Sequence, residues 1–337
     1  MLEDSNIQFP ILNEHTKINI SSMPTMWNVK HSCCCCGPYV ELSIPNSRKK
    51  RYFLRGWEFQ PLMPMIIVSL ILFTTITYFI CIFPHQSLVA QIIMPIFISI
   101  LLVLSIWSYF ACVCMDPGYL PFNWAQTKRF SYTWEEQLSG LAVISAQFNY
   151  ALLKENRPPK CSFSHSAGRF VIRGDHICGW AANWIGKRNH KQFILMNLYS
   201  GLFASTLVIG SLFVPHFFSL PKKILFTAIL AIFVEIAYAI FVFSAFGSTM
   251  IDLVNNRTKL NKMKDNVNIN NSQLNERKIS FTESMQEVCG NSSYLYWMIP
   301  LPAFDDLLVI DDDPDDMFHP LDEFVFRKND FFRSSIY

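Results

Sequence analysis

Apolar residues in this chain come in long blocks, not in the three-to-four spacing of a half-buried helix. Four blocks reach the ~20 residues that a helix needs to cross a bilayer: residues 65–83, 88–113, 193–214 and 224–246. The polar turn PHQS at 84–87 joins the first two as a hairpin, and a loop at 215–223 joins the last two. Between the hairpins lies a hydrophilic segment, 116–192. The pattern predicts an α-helical polytopic membrane protein with four transmembrane helices and a polar domain between helices two and three. It divides the chain into an N-terminal region (1–64), a first hairpin (65–113), the inserted domain (116–192), a second hairpin (193–246) and a C-terminal region (247–337). In that last region 259–280 reads as flexible, 281–304 as a short amphipathic helix with an apolar membrane-surface segment, and the acidic run from residue 305 as a solvated tail.

Composition agrees. Of 337 residues, 51% are hydrophobic and 16% charged, a low charge content for a soluble domain. A net charge of +2 gives no reason to expect a nucleic-acid partner. Lys and Arg cluster before the first block (Arg48, Lys49, Lys50, Arg51, Arg55), through the middle segment and after the fourth block, while the PHQS turn has none. The positive-inside rule therefore places both termini and the inserted domain in the cytosol, in an endomembrane (Golgi or endoplasmic reticulum) or the plasma membrane. The first thirty residues have neither a basic start nor an apolar core, so no cleavable signal peptide is expected. The ten cysteines show no regular spacing, which argues against a disulfide framework, and the cytosol would keep them reduced.

Candidate chemistry centres on RGDHICGW, residues 173–180. A free thiol near pKa ~8.5 is only a few per cent thiolate at neutral pH. An imidazole within reach, such as His176, can take the Cys178 proton, and a carboxylate such as Asp175 can fix the ring's tautomer, the logic of nucleophile, base and orienter. A bare D-H-x-C leaves three readings open: activated nucleophile, metal ligand or ordinary thiol.

The surroundings narrow the choice. RPPK at 157–160, the run ending DHICGW and NWIGKRN at 183–189 resemble the cysteine-rich domain of the DHHC protein S-acyltransferases, with the fourteen-residue interval between Lys160 and Asp175 kept. The tripeptide Asp116-Pro117-Gly118 directly follows the second apolar block, as it does in that family, and RYFLRGW at 51–57 resembles the entry segment of its Ras-palmitoylating branch. The resemblance implies that Cys178 takes a fatty acyl chain from acyl-CoA, palmitoyl-CoA being the typical donor. His176 is then the base and Asp175 its orienter. Asp116, Pro117, Gly118, Asn183, Asn189 and Thr258 are implied as structural motif positions. Implied partners are acyl-CoA, membrane lipid, substrate proteins with cytosolic cysteines and an accessory subunit. A catalytically inactive DHHC-like membrane scaffold is the alternative.

The departures are selective. The family's eight zinc-ligand positions fall here on Tyr150, Leu153, Phe163, Ser164, Ala167, Phe170, Ile177 and Trp184. No zinc is therefore expected, and the apolar replacements are expected to form a small core in its place. The T-T-x-E motif after the fourth helix reads Thr258-Lys259-Leu260-Asn261, keeping one of three key residues. Arg173, Lys187 and Arg188 are candidates, by charge alone, to meet the CoA phosphates. Glu235 falls inside the fourth block, where an ionisable group is expensive and faces the bundle interior, so it is a candidate for lining or closing the acyl cavity. Cys33, Cys34, Cys35 and Cys36, close to a basic run and a membrane helix, are candidate S-acylation sites.

Overall fold

The computed structural model describes residues 29–34, 37–43, 50–54, 57–119, 161–164, 167, 169–260, 280–307 and 326–328. Four helices are long and apolar enough to cross a membrane. They are α1 (Leu62–Thr77), continued by a π turn and a 3-10 turn to His85, α2 (Leu88–Cys114), α3 (His190–Ser211) and α4 (Lys222–Val254). Helix α3 is the central one: α2 and α4 pack on either side of it, and α1 closes against α4. The outer faces carry exposed Leu72, Ile76, Ile92, Phe97, Phe226, Phe233 and Ile240. A continuous apolar exterior of that kind suits lipid and not water, so the chain is a multi-pass membrane protein.

Two helices depart from the block boundaries. Helix α3 begins at His190, not residue 193, because His190, Lys191 and Gln192 are buried in its first turn. The Lys191 ammonium donates to the Tyr296 carbonyl at 2.7 Å and the Gln192 amide to the Leu301 carbonyl at 2.9 Å. Polar residues that read as loop are thus helical because acceptors await them. Helix α4 continues past residue 246 to Val254, where Leu253 packs with Ile194, Val288, Cys289 and Trp297.

The polar part is built from short hairpins. Strands β1 (Val29–Cys34), β2 (Gly37–Ser43), β3 (Lys50–Leu54) and β4 (Trp57–Glu58) form an antiparallel meander ahead of α1, a sheet that the hydropathy pattern does not announce. Cys33 and Cys34 end β1, opposite Pro38 and Gly37, while Cys35 and Cys36 lie outside the described residues. Strands β5 (Cys161–Ser164) and β6 (Arg169–Ile172) pair, as do β7 (His176–Cys178) and β8 (Asn183–Ile185). Two short helices, α5 (Phe281–Cys289) and α6 (Tyr294–Met298), pack against the membrane helices, α5 starting in a Ser280–Glu283 capping box. Residues 281–304 are thus held to α3 through main-chain carbonyls instead of lying only on a membrane surface. The start of the acidic run lies in strand β9 (Phe304–Leu307), paired with β10 (Phe326–Lys328), and the rest of the run, 308–325, lies outside the described residues.

What ties the β7–β8 hairpin to the bundle is the end of α2. A helix C-terminus leaves carbonyls without intrahelical donors. The Asn183 side-chain amide donates to Val113 O at 3.0 Å and Met115 O at 2.9 Å. The Asn189 amide donates to Trp184 O at 2.7 Å while its carbonyl accepts from Gly186 N–H at 2.9 Å. Asp116 accepts from the N–H groups of Gly118 and Tyr119, at 2.6 and 2.8 Å, and so turns the chain out of α2. At Gly186 a Cβ would stand 2.4 Å from the Pro117 carbonyl, so only glycine lets the two segments meet. Asn183→Ala leaves two buried carbonyls without a donor and should destabilise the protein by about 1–3 kcal/mol. Asn183→Asp, which cannot donate, should do no better. Thermal unfolding of the detergent-solubilised chain measures both.

Candidate functional site

Three residues of the DHIC stretch come together. Asp175 is 1% exposed and its carboxylate is used on both sides. One oxygen contacts His176 Nδ1 at 2.8 Å, and the other accepts from Lys259 N–H at 2.8 Å. The Asp175 main chain donates to Ile185 O at 2.7 Å and accepts from Leu260 N–H at 3.1 Å. With Nδ1 occupied, the other imidazole nitrogen is left for the Cys178 thiol, which lies two residues along β7 and so on the same face of the strand. The Phe193 ring meets the His176 ring edge to face at 5.2 Å and limits its rotation.

The electrostatics follow from these contacts. Burial would raise the Asp175 pKa, but the His176 hydrogen bond, the neighbouring His190 and the Lys259 N–H outweigh it and hold the carboxyl well below the usual carboxylate range. Burial presses the His176 imidazolium down, yet its hydrogen bonds to Asp175 and Cys178 leave it above the ordinary histidine value. Burial opposes the Cys178 thiolate, whereas His176 and the backbone N–H groups of Ala181 and Trp180 favour it, so the thiol titrates below its ordinary value. The site thus favours a thiolate–imidazolium pair oriented by a permanently ionised carboxylate.

Cys178 opens onto a cavity of about 320 Å³ that runs from the β7–β8 hairpin into the helix bundle. Its lining includes Tyr109, Phe193, Met196, Tyr238, Phe241 and Val242, so all four long helices and the hairpin border a mostly apolar space. Ile67 and Tyr238 separate it from a smaller void beside Thr74 and Glu235. Glu235, 4% exposed, therefore lies beyond the main cavity and not in its wall. Its Oε2 finds no hydrogen-bond partner among the described residues.

The positions corresponding to zinc ligands do not fit a metal. Phe163, Ala167, Phe170, Ile177 and Trp184 offer no donor atom suited to zinc, Ser164 accepts from Ala167 N–H at 3.2 Å, and Tyr150 and Leu153 lie outside the described residues. Phe170 is buried and meets Phe163 edge to face at 5.2 Å, while Trp184 and Ala167 join a cluster with Phe53, Tyr119 and Val171. Ile177 corrects the expectation of a shared apolar core: it is 66% exposed. The reason is the strand. Side chains on β7 alternate, so placing His176 and Cys178 toward the bundle turns the residue between them outward.

The cations chosen by charge are also reassigned. Arg173, Lys187 and Arg188 do not line the cavity. Arg173 is buried, bonded to Glu287 at 3.0 Å and facing His190 Nδ1 at 3.2 Å. Lys187 donates to the Glu287 carbonyl and lies over the Phe304 ring at 4.7 Å. Both hold α5 against the site, and net charge along a sequence does not reveal such partners. Thr258 stands beside the residue that matters more: Lys259, which sequence reasoning passed over as a lost motif position, anchors Asp175 and lines the cavity. Its place one residue after Thr258 was the available signal.

Comparison with known proteins gives the same outline. Residues 147–266 match the family model described as DHHC palmitoyltransferase. The chain is similar to Palmitoyltransferase ZDHHC3-A of Danio rerio, 26% identical over 71% of this chain and 74% of that protein. It is similar to Probable protein S-acyltransferase 13 of Arabidopsis thaliana, 25% identical over 58% of this chain and 68% of that protein. Probable protein S-acyltransferase 14 of the same plant is 27% identical over 32% of this chain, and that match spans 38% of the relative's length.

A thiol titrating below its usual range should react where others do not. Iodoacetamide should alkylate Cys178 at mildly acidic pH faster than it alkylates a free thiol such as glutathione. His176→Ala should move the midpoint of that reactivity upward to the ordinary thiol range. Mass spectrometry of the Cys178 peptide across pH provides the measurement.

Proposed function

Because this chain belongs to the DHHC palmitoyltransferase family, we propose that it is a protein S-acyltransferase working through an acyl-cysteine intermediate on Cys178. One observation carries the reading: a thiol paired with an imidazole and an anchored carboxylate sits at the mouth of an apolar cavity entering the membrane bundle.

The chemistry balances without any other group. His176 takes the Cys178 proton and the sulfur attacks the thioester carbonyl of a fatty acyl-CoA. The carbonyl carbon's bond to the CoA sulfur breaks, and His176 returns the proton to the departing CoA thiolate. In the second half His176 deprotonates a substrate cysteine, whose sulfur takes the acyl carbonyl while Cys178 leaves and recovers its proton. Both halves exchange one thioester for another, so neither needs an energy source. The apolar cavity shields the alkyl chain from water, which stabilises the loaded state.

Location belongs to the same reading. The Lys and Arg distribution favours the site and both termini facing the cytosol of an endomembrane or the plasma membrane, where acyl-CoA and substrate thiols are found. The substrates are membrane-associated proteins with cytosolic cysteines, and an accessory subunit is compatible with this family. The inserted domain folds without structural zinc: the described ligand positions carry side chains unsuited to the metal, and Phe163, Phe170 and Trp184 pack where they stand.

The test is direct. Purified chain incubated with an alkynyl palmitoyl-CoA should acquire hydroxylamine-sensitive label on the peptide that carries Cys178, which mass spectrometry separates from any label on Cys33–Cys36, and Cys178→Ser should abolish the label on that peptide. Absence of thioester at Cys178 would leave the inactive scaffold as the better description. Elemental analysis of the same preparation should find well under one zinc per chain, and a stoichiometry near two would overturn the metal-free domain.

A further inference from the structure

Lys259 occupies a place where its main chain and its side chain do different things. Its N–H fixes one Asp175 oxygen at 2.8 Å, a contact that any residue except proline can make. Its side chain turns back to line the same cavity as His176 and Cys178. There Nζ stands 5.3 Å from the centroid of the Phe193 ring, whose edge-to-face partner 5.2 Å away is His176. The polar contact of Nζ is the neutral Thr249 hydroxyl at 3.5 Å, and among the described residues the ammonium forms no ion pair. A cation whose charge is not neutralised beside a catalytic imidazole, in a partly apolar wall, acts over a longer range than one in water.

We propose that the Lys259 ammonium is a positioning group: sharing Phe193 as a neighbour with His176 in the wall of one cavity, it opposes a second positive charge on the imidazole and so returns the base to its neutral, proton-accepting form. The inference rests on His176 serving Cys178 as base, as in the acyl-transfer reading. The other groups facing His176 define the balance. On its own strand Asp175 and the Cys178 thiol favour the imidazolium, while from α3 His190 adds a ring tied to Arg173. Across the cavity α2 and α4 contribute the phenols of Tyr109 and Tyr238. Among these, the Asp175 carboxylate holds the proton on His176 and Lys259 loosens it. A base that never released its proton would load once and fail to return it to the leaving CoA.

The measurement is the titration of the His176 ring, followed by NMR on the full chain in detergent with labelled histidine and assigned with His176→Gln, for wild type, Lys259→Met and Lys259→Arg. All three keep the backbone N–H to Asp175, so a structural role of the main chain drops out. Removing the cation lets His176 keep its proton to higher pH. Lys259→Met should shift the midpoint upward by about one pH unit, the size expected for one charge about ten ångströms away at an effective dielectric near 20. Lys259→Arg should keep the wild-type midpoint. If Lys259→Met does not fold, Lys259→Gln carries the same expectation. A folded neutral variant with the wild-type midpoint, or an arginine variant shifted as far as the methionine one, overturns the proposal. The ring titration needs no acyl donor, so the two ideas fail separately. A chain that shows the shift yet never takes palmitoyl label refutes acyl transfer and leaves the charge effect. One that takes label with no shift refutes the role of Lys259 alone.

Discussion

Everything at the site hangs from the unsatisfied carbonyls at the end of α2. A helix that leaves the membrane must find donors for its last turn, and here Asn183 supplies them from the β7–β8 hairpin. The same hairpin carries Cys178, paired in register with Asn183, and His176, paired with Ile185. One amide therefore fixes the height of Cys178 relative to the bundle, at the mouth of the cavity. Asn189 and Gly186 complete the joint, the first by closing the turn into α3 and the second by letting the chain pass against the Pro117 carbonyl. This anchoring runs through hydrogen bonds to main chain, which is why it can coexist with side chains that offer nothing to a metal.

Strand alternation is the second constraint. A base and a nucleophile two residues apart on a strand face the same way, and the residue between them faces the other. His176 and Cys178 use the inner face; Ile177 is left outside. The middle position of the motif can thus change from a metal donor to an apolar residue without disturbing the pair. Where the described replacements face inward, they are packed: Phe170 against Phe163, and Trp184 with Phe53 and Val171.

The four membrane helices were legible because lipid imposes length and apolarity on every turn that crosses it, and the Asp175-His176-Cys178 set was legible because its spacing is local. What escaped depends on contacts distant in sequence. His190, Lys191 and Gln192 read as polar loop, yet they are helical because carbonyls of the C-terminal segment, about a hundred residues away, receive Lys191 and Gln192. Arg173 read as a phosphate ligand, since charge is visible in a sequence and its partner, the Glu287 carboxylate, is not. The β1–β4 meander was missed because its strands are short, and the void that Glu235 borders, behind Ile67 and Tyr238, could not be read from helix depth, which does not specify which side chains separate two spaces.

Lys259 shows why a lost motif residue need not be a lost function. A backbone N–H can hold a carboxylate whatever the side chain of its residue, proline excepted. Once the main chain does the holding, the side chain is released to contribute something else, here a positive charge in the cavity wall. Asp175 is then the point at which two segments more than eighty residues apart agree on the position of one imidazole. Aromatic packing of Phe163 on Phe170 and an ammonium at position 259 are both compatible with that arrangement, because neither touches the contacts that the Asp175 carboxylate makes with His176 and with the Lys259 N–H.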